Sequence, residues 1–206
     1  MLDLFVSAFV TLFVVIDPPG CAPIFAGLTS AAPPRHARAM ALKACLIAAA
    51  ILLVFALFGE ALLHALHIEL NSFRIAGGIM LFLIALDMVF EKRTQRREER
   101  AEKLMAEPVE DVSVFPMAMP MLAGPGSIAT IMLLMSKAQG TEATLVILAA
   151  LAAVLVLSLV ALVAAIPLMK TLGHSFEVVI TRLLGVLLAA LAAQYVIGGL
   201  REAFAA

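Results

Sequence analysis

The chain has 206 residues, 64% of them hydrophobic and 14% charged, with a formal net charge of −1 and a mean hydropathy of +1.10. Soluble domains run near half apolar and near a quarter charged, so the composition excludes one, and the near-neutral charge argues against nucleic acid as a partner. A helical span of hydrocarbon takes about 20 residues, and little chain is left once such spans are counted.

The stretch Leu4–Ile16 is apolar and, after Asp17, the uncharged stretch Pro18–Pro34 follows. No basic n-region precedes it, so it reads as a retained span and not a signal peptide. Ala44–Gly59 continues apolar to Leu66, and Ile75–Phe90 is interrupted only by Asp87. The second half supplies Val112–Ser136, Ala143–Met169 and Leu183–Leu200. The expected fold is an all-α integral membrane protein with six crossings, the first and fourth broken midway by Pro and Gly. Cys21 and Cys45 both lie in apolar stretches, so neither a disulfide framework nor a metal cluster is expected, and no cofactor.

Lys and Arg set the orientation. With six crossings, one side carries the loops around Arg35–Lys43, Lys92–Lys103 and Lys170–Arg182, which hold 3, 6 and 2 of the 14 basic residues. The other side keeps Arg74, Lys137 and Arg201. The basic side reads as cytoplasmic, which places both termini outside. The loop Glu91–Asp111, with six basic and seven acidic residues, reads as a solvated helical extension with i,i+4 pairs such as Glu99–Lys103.

Two motif pairs recur. Asp17-Pro18-Pro19-Gly20-Cys21 resembles Ala123-Gly124-Pro125-Gly126-Ser127, sharing a Pro-Gly step 106 positions apart, and Arg74-Ile75-Ala76-Gly77 resembles Arg182-Leu183-Leu184-Gly185, 108 positions apart. Each half therefore runs broken helix, plain helix, then a helix opening Arg-x-x-Gly. Three crossings per half is odd, so the second half enters the membrane inverted. The expected organisation is a first three-helix repeat over 1–90, a charged cytoplasmic segment over 91–111 and a second, inverted repeat over 112–206. Inverted repeats with broken helices at the midplane are the architecture of many secondary transporters.

Six of the ten prolines fall in the broken segments. Proline removes a backbone donor, and irregular backbone at membrane depth survives only where it is buried or lines a cavity. A break offers carbonyls and a negative dipole end from one half-helix, N–H groups and a positive end from the other. A small zwitterion fits two such breaks. Its carboxylate would take the N–H groups of Gly126, Ser127 and Ile128; its ammonium would take Asp17 and the carbonyls before Pro18. The substrate-binding set is then Asp17, Pro18, Pro19, Gly20, Cys21, Ala123, Gly124, Pro125, Gly126 and Ser127. An acid deep in a span is a functional candidate by default, able to hold the amine or carry a coupling proton. Asp17 is equally suited to cap the helix starting at Pro18.

Other polar residues rank lower. Arg74 and Arg182 fit snorkelling helix starts, Asp87 a solvated helix end, and Gln194 and Tyr195 interhelical hydrogen bonding. Glu60, His64 and His67 share a helical face at metal-like spacing but lie at a span's outer end with no further ligand apparent, so no metal site is expected. The four histidines flank loops, which disfavours an intramembrane Ser–His hydrolase. A non-enzymatic transporter is the expectation. An exporter of another small solute or drug, or a channel-like pore, stays as the alternative, and the oligomeric state is open.

At these motifs the sequence resembles the MarC family of bacterial inner-membrane proteins. The matching residues are Asp17-Pro18-Pro19-Gly20 with Pro23 and Phe25, Arg74-Ile75-Ala76-Gly77-Gly78, Phe115-Pro116 with Ala118-Met119-Pro120, Ala123-Gly124-Pro125-Gly126-Ser127-Ile128, and Arg182, Gly185 and Gln194. The resemblance implies a three-plus-three inverted fold and, for characterised relatives, proton-coupled transport of small neutral amino acids such as glycine and alanine. The family often has Asn where Cys21 stands; an amide donates and accepts, whereas a thiol is a weak donor.

Overall fold

A computed structural model describes residues 1–90 and 111–205, and these are helical almost throughout. The expected Glu99–Lys103 pair lies outside the described residues. The elements are α1 (Leu2–Ile16), α2 (Pro18–Leu28), α3 (Pro34–Ala65), α4 (Leu70–Val89), α5 (Ser113–Leu122), α6 (Pro125–Met135), α7 (Gly140–Val163) and α8 (Ala165–Ala205). Among the described residues five stretches are long and apolar enough to cross a membrane: Leu2–Leu28, Pro34–Ala65, Leu70–Val89, Gly140–Val163 and Val179–Phe204. The pair α5 and α6, bent by 51°, makes a sixth if it is one span.

Pro34 opens α3 at its first turn, where a missing N–H costs nothing. The basic stretch Arg35–Lys43, expected as a loop, is therefore the first turns of α3. Likewise, 170–182 lies within α8. In both places the helix runs past the apolar stretch into its polar flank, because Lys and Arg are good helix formers. Lys43 Nζ donates to Asp111 Oδ2 at 2.6 Å, tying α3 to the start of α5. That bond, with donation from Ser113 N–H to Oδ1, lowers the Asp111 carboxyl to about 2, so both partners are charged near neutral pH.

The segment α5 departs from α-helix for a local reason. Pro116 and Pro120 carry no N–H, so the bonds shift by one residue: Met117 N–H donates to Val112 O and Ala123 N–H to Ala118 O. Phe115 and Met119, each before a proline and joined to it by a cis peptide, are extended at φ −128°, ψ 126° and φ −129°, ψ 126°.

Nearly every extensive helix contact joins residues 1–90 to residues 111–205. The helix α4 packs along α8, α1 and α2 pack on α7, and α3 packs on α5, α6 and α7. Small residues set these distances, as usual between helices in a bilayer. A Cβ on Gly78 would sit 2.9 Å from Ala192 O, and one on Gly199 3.0 Å from Asn71 O. The main core buries Leu12, Ile16, Phe25, Leu52, Leu122, Ile131, Ile147 and Leu151. Outward residues such as Leu46, Phe58, Leu83 and Val156 are large and apolar, the composition of a lipid-facing surface.

Candidate functional site

The first break is set by four consecutive residues. Asp17 adopts a left-handed conformation (φ 58°, ψ 62°), ends α1 with its N–H on Phe13 O and caps α2 with its carboxylate. Pro18 and Pro19 cannot donate, which removes the helical partners of the Val14 and Val15 carbonyls. The Gly20 N–H, which would serve Ile16 O, donates to Asp17 Oδ1 at 3.2 Å. Ile16 O receives the Cys21 S–H at 3.6 Å, and Cys21 N–H donates to Asp17 O at 3.1 Å. The carboxylate folds back so closely that a Cβ at position 20 would lie 2.2 Å from Oδ2. Asp17 is 1% exposed. The N-terminus of α2 thus keeps no free N–H, and Asp17 does act as a cap.

The second break is built differently. Gly124, extended at φ −77°, ψ 170°, precedes Pro125 at the first position of α6. Ile128 N–H donates to Gly124 O at 3.0 Å. That corrects the expected donor set: Ile128 is spent inside the helix, and Gly126 and Ser127, in the first turn, carry the N–H groups without a helical acceptor. A Cβ on Gly124 would meet Pro120 O at 2.4 Å, and one on Gly126 would meet Ile84 at 2.5 Å and Val15 at 3.4 Å. The start of α6 is therefore pressed against α1 two residues before Asp17. Ala123, Ser127 and Cys21 are buried, while the Pro125 ring is exposed.

Two cavities flank this centre. One, about 210 Å³, is lined by Phe25, Thr29, Ala37, Arg38, Leu162 and Val163 among others. The second, about 290 Å³, is lined by Phe55, Ala56, Glu60, Met132, Ser136 and Thr144 among others. Five lining pairs are separated by 107 positions: Phe25 and Met132, Thr29 and Ser136, Ala37 and Thr144, Phe55 and Leu162, Ala56 and Val163. Along α3 the cavities are 18 residues apart, from Ala37 to Phe55, and along α7 another 18, from Thr144 to Leu162. At 1.5 Å per residue each separation is about 27 Å, close to the hydrocarbon thickness. The short helix α2 leads from the first break to one cavity, and α6 leads from the second break to the other.

Arg74 does not snorkel. It is buried and donates to Glu202 near the end of α8, while Lys137 stacks over the Tyr195 ring at 4.5 Å. Glu202 and Lys137 escaped the sequence reading, and no local spacing signals a pair 128 positions apart. Gln194 is exposed and bonds no other helix of the described chain, unlike the expectation. Arg182 is exposed and Asp87 half-buried; Glu60, His64 and His67 are exposed and form no three-ligand group among the described residues.

Apolar helices of spanning length, packed through small residues and presenting a greasy exterior, define a multi-pass integral membrane protein. The chain matches the model of the MarC family integral membrane proteins over residues 2–204, and it belongs to that family. It is 36% identical over 202 residues to a UPF0056 membrane protein of Methanocaldococcus jannaschii, covering 98% of each chain. It is similar also to the UPF0056 membrane proteins YvbG of Bacillus subtilis, at 32% identity over 99% of this chain and 97% of that one, and YhcE of Escherichia coli, at 30% over 95% and 91%. No solved structure matches the chain significantly.

Proposed function

We propose that this chain is a secondary transporter of small neutral amino acids, glycine, alanine or threonine-like, working by alternating access in the cell membrane. In this reading it is built from two inverted three-helix repeats with discontinuous first and fourth spans and both termini outside. The observation that carries the reading is the cavity pair. Cavities lined by residues at one constant spacing, at opposite ends of α3 and α7, are what an inverted repeat generates: one vestibule per side of the membrane. The helix contacts support it too, because α1 and α2 pack on α7 as α5 and α6 pack on α3.

The substrate would sit between the breaks. Its ammonium would be held by the carboxyl group of Asp17, buried at the end of α1. Its carboxylate is held by the Gly126 and Ser127 N–H groups and the positive end of α6. Gly20, Gly124 and Gly126 are already packed against Asp17, Pro120 and Ile84, a close fit at the breaks that favours a small substrate. Asp17 is also the acid that would carry a coupling proton. Pro18, Pro19, Cys21, Ala123 and Pro125 shape the site; Cys21 Sγ occupies one exposed carbonyl end, that of Ile16. Cavities of 210 and 290 Å³ lie at or below the lower end of small-molecule sites, which favours small solutes over drugs. Between them Ala44, Ala48, Leu52, Ala150, Leu151 and Val154 fill the core, which favours a carrier over an open pore.

Purified protein in proteoliposomes, given radiolabelled glycine, alanine and threonine under an imposed proton gradient, should show saturable uptake of at least one. No saturable uptake of any of the three would sink the amino-acid reading.

A further inference from the structure

The face of α8 turned away from α4 carries a polar group where a bilayer offers nothing to bond it. Gln194 lies near the middle of the apolar stretch Val179–Phe204, is exposed, and makes no hydrogen bond among the described residues. Hydrocarbon has neither donor nor acceptor for its amide. Along this exposed face Leu183, Leu187, Ala190, Ile197 and Arg201 with Gln194 step by 4, 3, 4, 3 and 4, and Val186, Ala193 and Leu200 are exposed beside them. That alternation is the seam of a left-handed helix pair, in which a single amide at a core position fixes register and partner number. The side toward α4, by contrast, is occupied by Gly185, Ala192 and Gly199.

A second copy of this chain fits the seam better than any other occupant. A two-fold axis along the membrane normal brings each seam residue against the same residue of the other copy at the same depth. Most side chains gain little from meeting themselves, but a carboxamide both donates and accepts and so pairs with its own kind. Ala190, one turn away, lets the backbones approach. Arg201 closes the seam near the interface, where its long stem reaches water and avoids its counterpart. We propose that α8 is the interface of a parallel homodimer held in register by Gln194 against Gln194 of the partner subunit. This rests on the membrane fold alone and stands apart from the transport reading.

Oxidative crosslinking of the full chain in lipid tests it, with Ala190→Cys, one turn from Gln194 on the seam, as the probe. Native Cys21 and Cys45 are buried and give no background. Ala190→Cys is expected to form a covalent dimer, while Leu46→Cys, exposed on α3, forms none. Gln194→Leu should weaken association by about three- to thirtyfold in a bilayer dilution series, the range of one interhelical hydrogen bond, and Gln194→Asn should retain it. An Ala190→Cys yield no higher than that of Leu46→Cys, or unchanged association of Gln194→Leu, overturns the proposal.

Discussion

Gly124→Ala is expected to stop uptake and to destabilise the folded chain by about 1–3 kcal/mol, the usual cost of overpacking a tight site. The backbone there, φ −77° and ψ 170°, is open to any residue, so the effect is one of space alone. The new methyl would lie 2.4 Å from Pro120 O, a main-chain atom at the end of α5. Relief requires either the last turn of α5 or the first turn of α6 to move, and with α6 would go the free N–H groups of Gly126 and Ser127. Gly198→Ala is the matched control, since nothing lies within 4 Å of its added methyl; it should be neutral or slightly stabilising. Thermal unfolding in detergent and glycine uptake read the two effects separately. Full uptake by Gly124→Ala at unchanged stability would show that the second break tolerates displacement and is not a binding element.

Asp17 separates into two roles by substitution. Asn keeps a side-chain oxygen for the Gly20 N–H and tolerates the left-handed backbone, so Asp17→Asn is expected to fold with near-native stability. Without the charge, uptake should fall about tenfold or more, as expected for losing a charged hydrogen bond, and residual uptake should no longer vary with pH. Asp17→Ala loses the cap as well and should cost about 1–2 kcal/mol of stability. Normal transport by Asp17→Asn with its pH dependence intact would reduce Asp17 to a helix cap.

Much of the backbone geometry at the two breaks is legible in the sequence because its causes are local. A cap, two prolines and a glycine within four residues leave few alternatives to the geometry of Asp17 and Gly20. The donor set at α6 was over-counted by one, because Gly124, as the residue before the helix, consumes the Ile128 N–H. Cys21 Sγ on Ile16 O was invisible because a thiol gives no directional signal in sequence. The cavity pair escaped for a different reason. Phe25 answers Met132, Ala37 answers Thr144 and Phe55 answers Leu162, so the two cavities keep corresponding positions without keeping residue identity. Arg74 with Glu202 escaped because tertiary packing alone brings α4 and α8 together.

In the proposed mechanism two vestibules on opposite sides of the membrane serve one site between the breaks. Single cysteines at Arg38 and Thr144, accessible residues that line one cavity each, introduced beside the buried native thiols, test it most directly with an impermeant maleimide applied to either side of sealed vesicles. Arg38→Cys should react from the cytoplasmic side and Thr144→Cys from the other, and a transported amino acid should change the two rates in opposite directions. Labelling of both from the same side, or rates that rise or fall together, would contradict it.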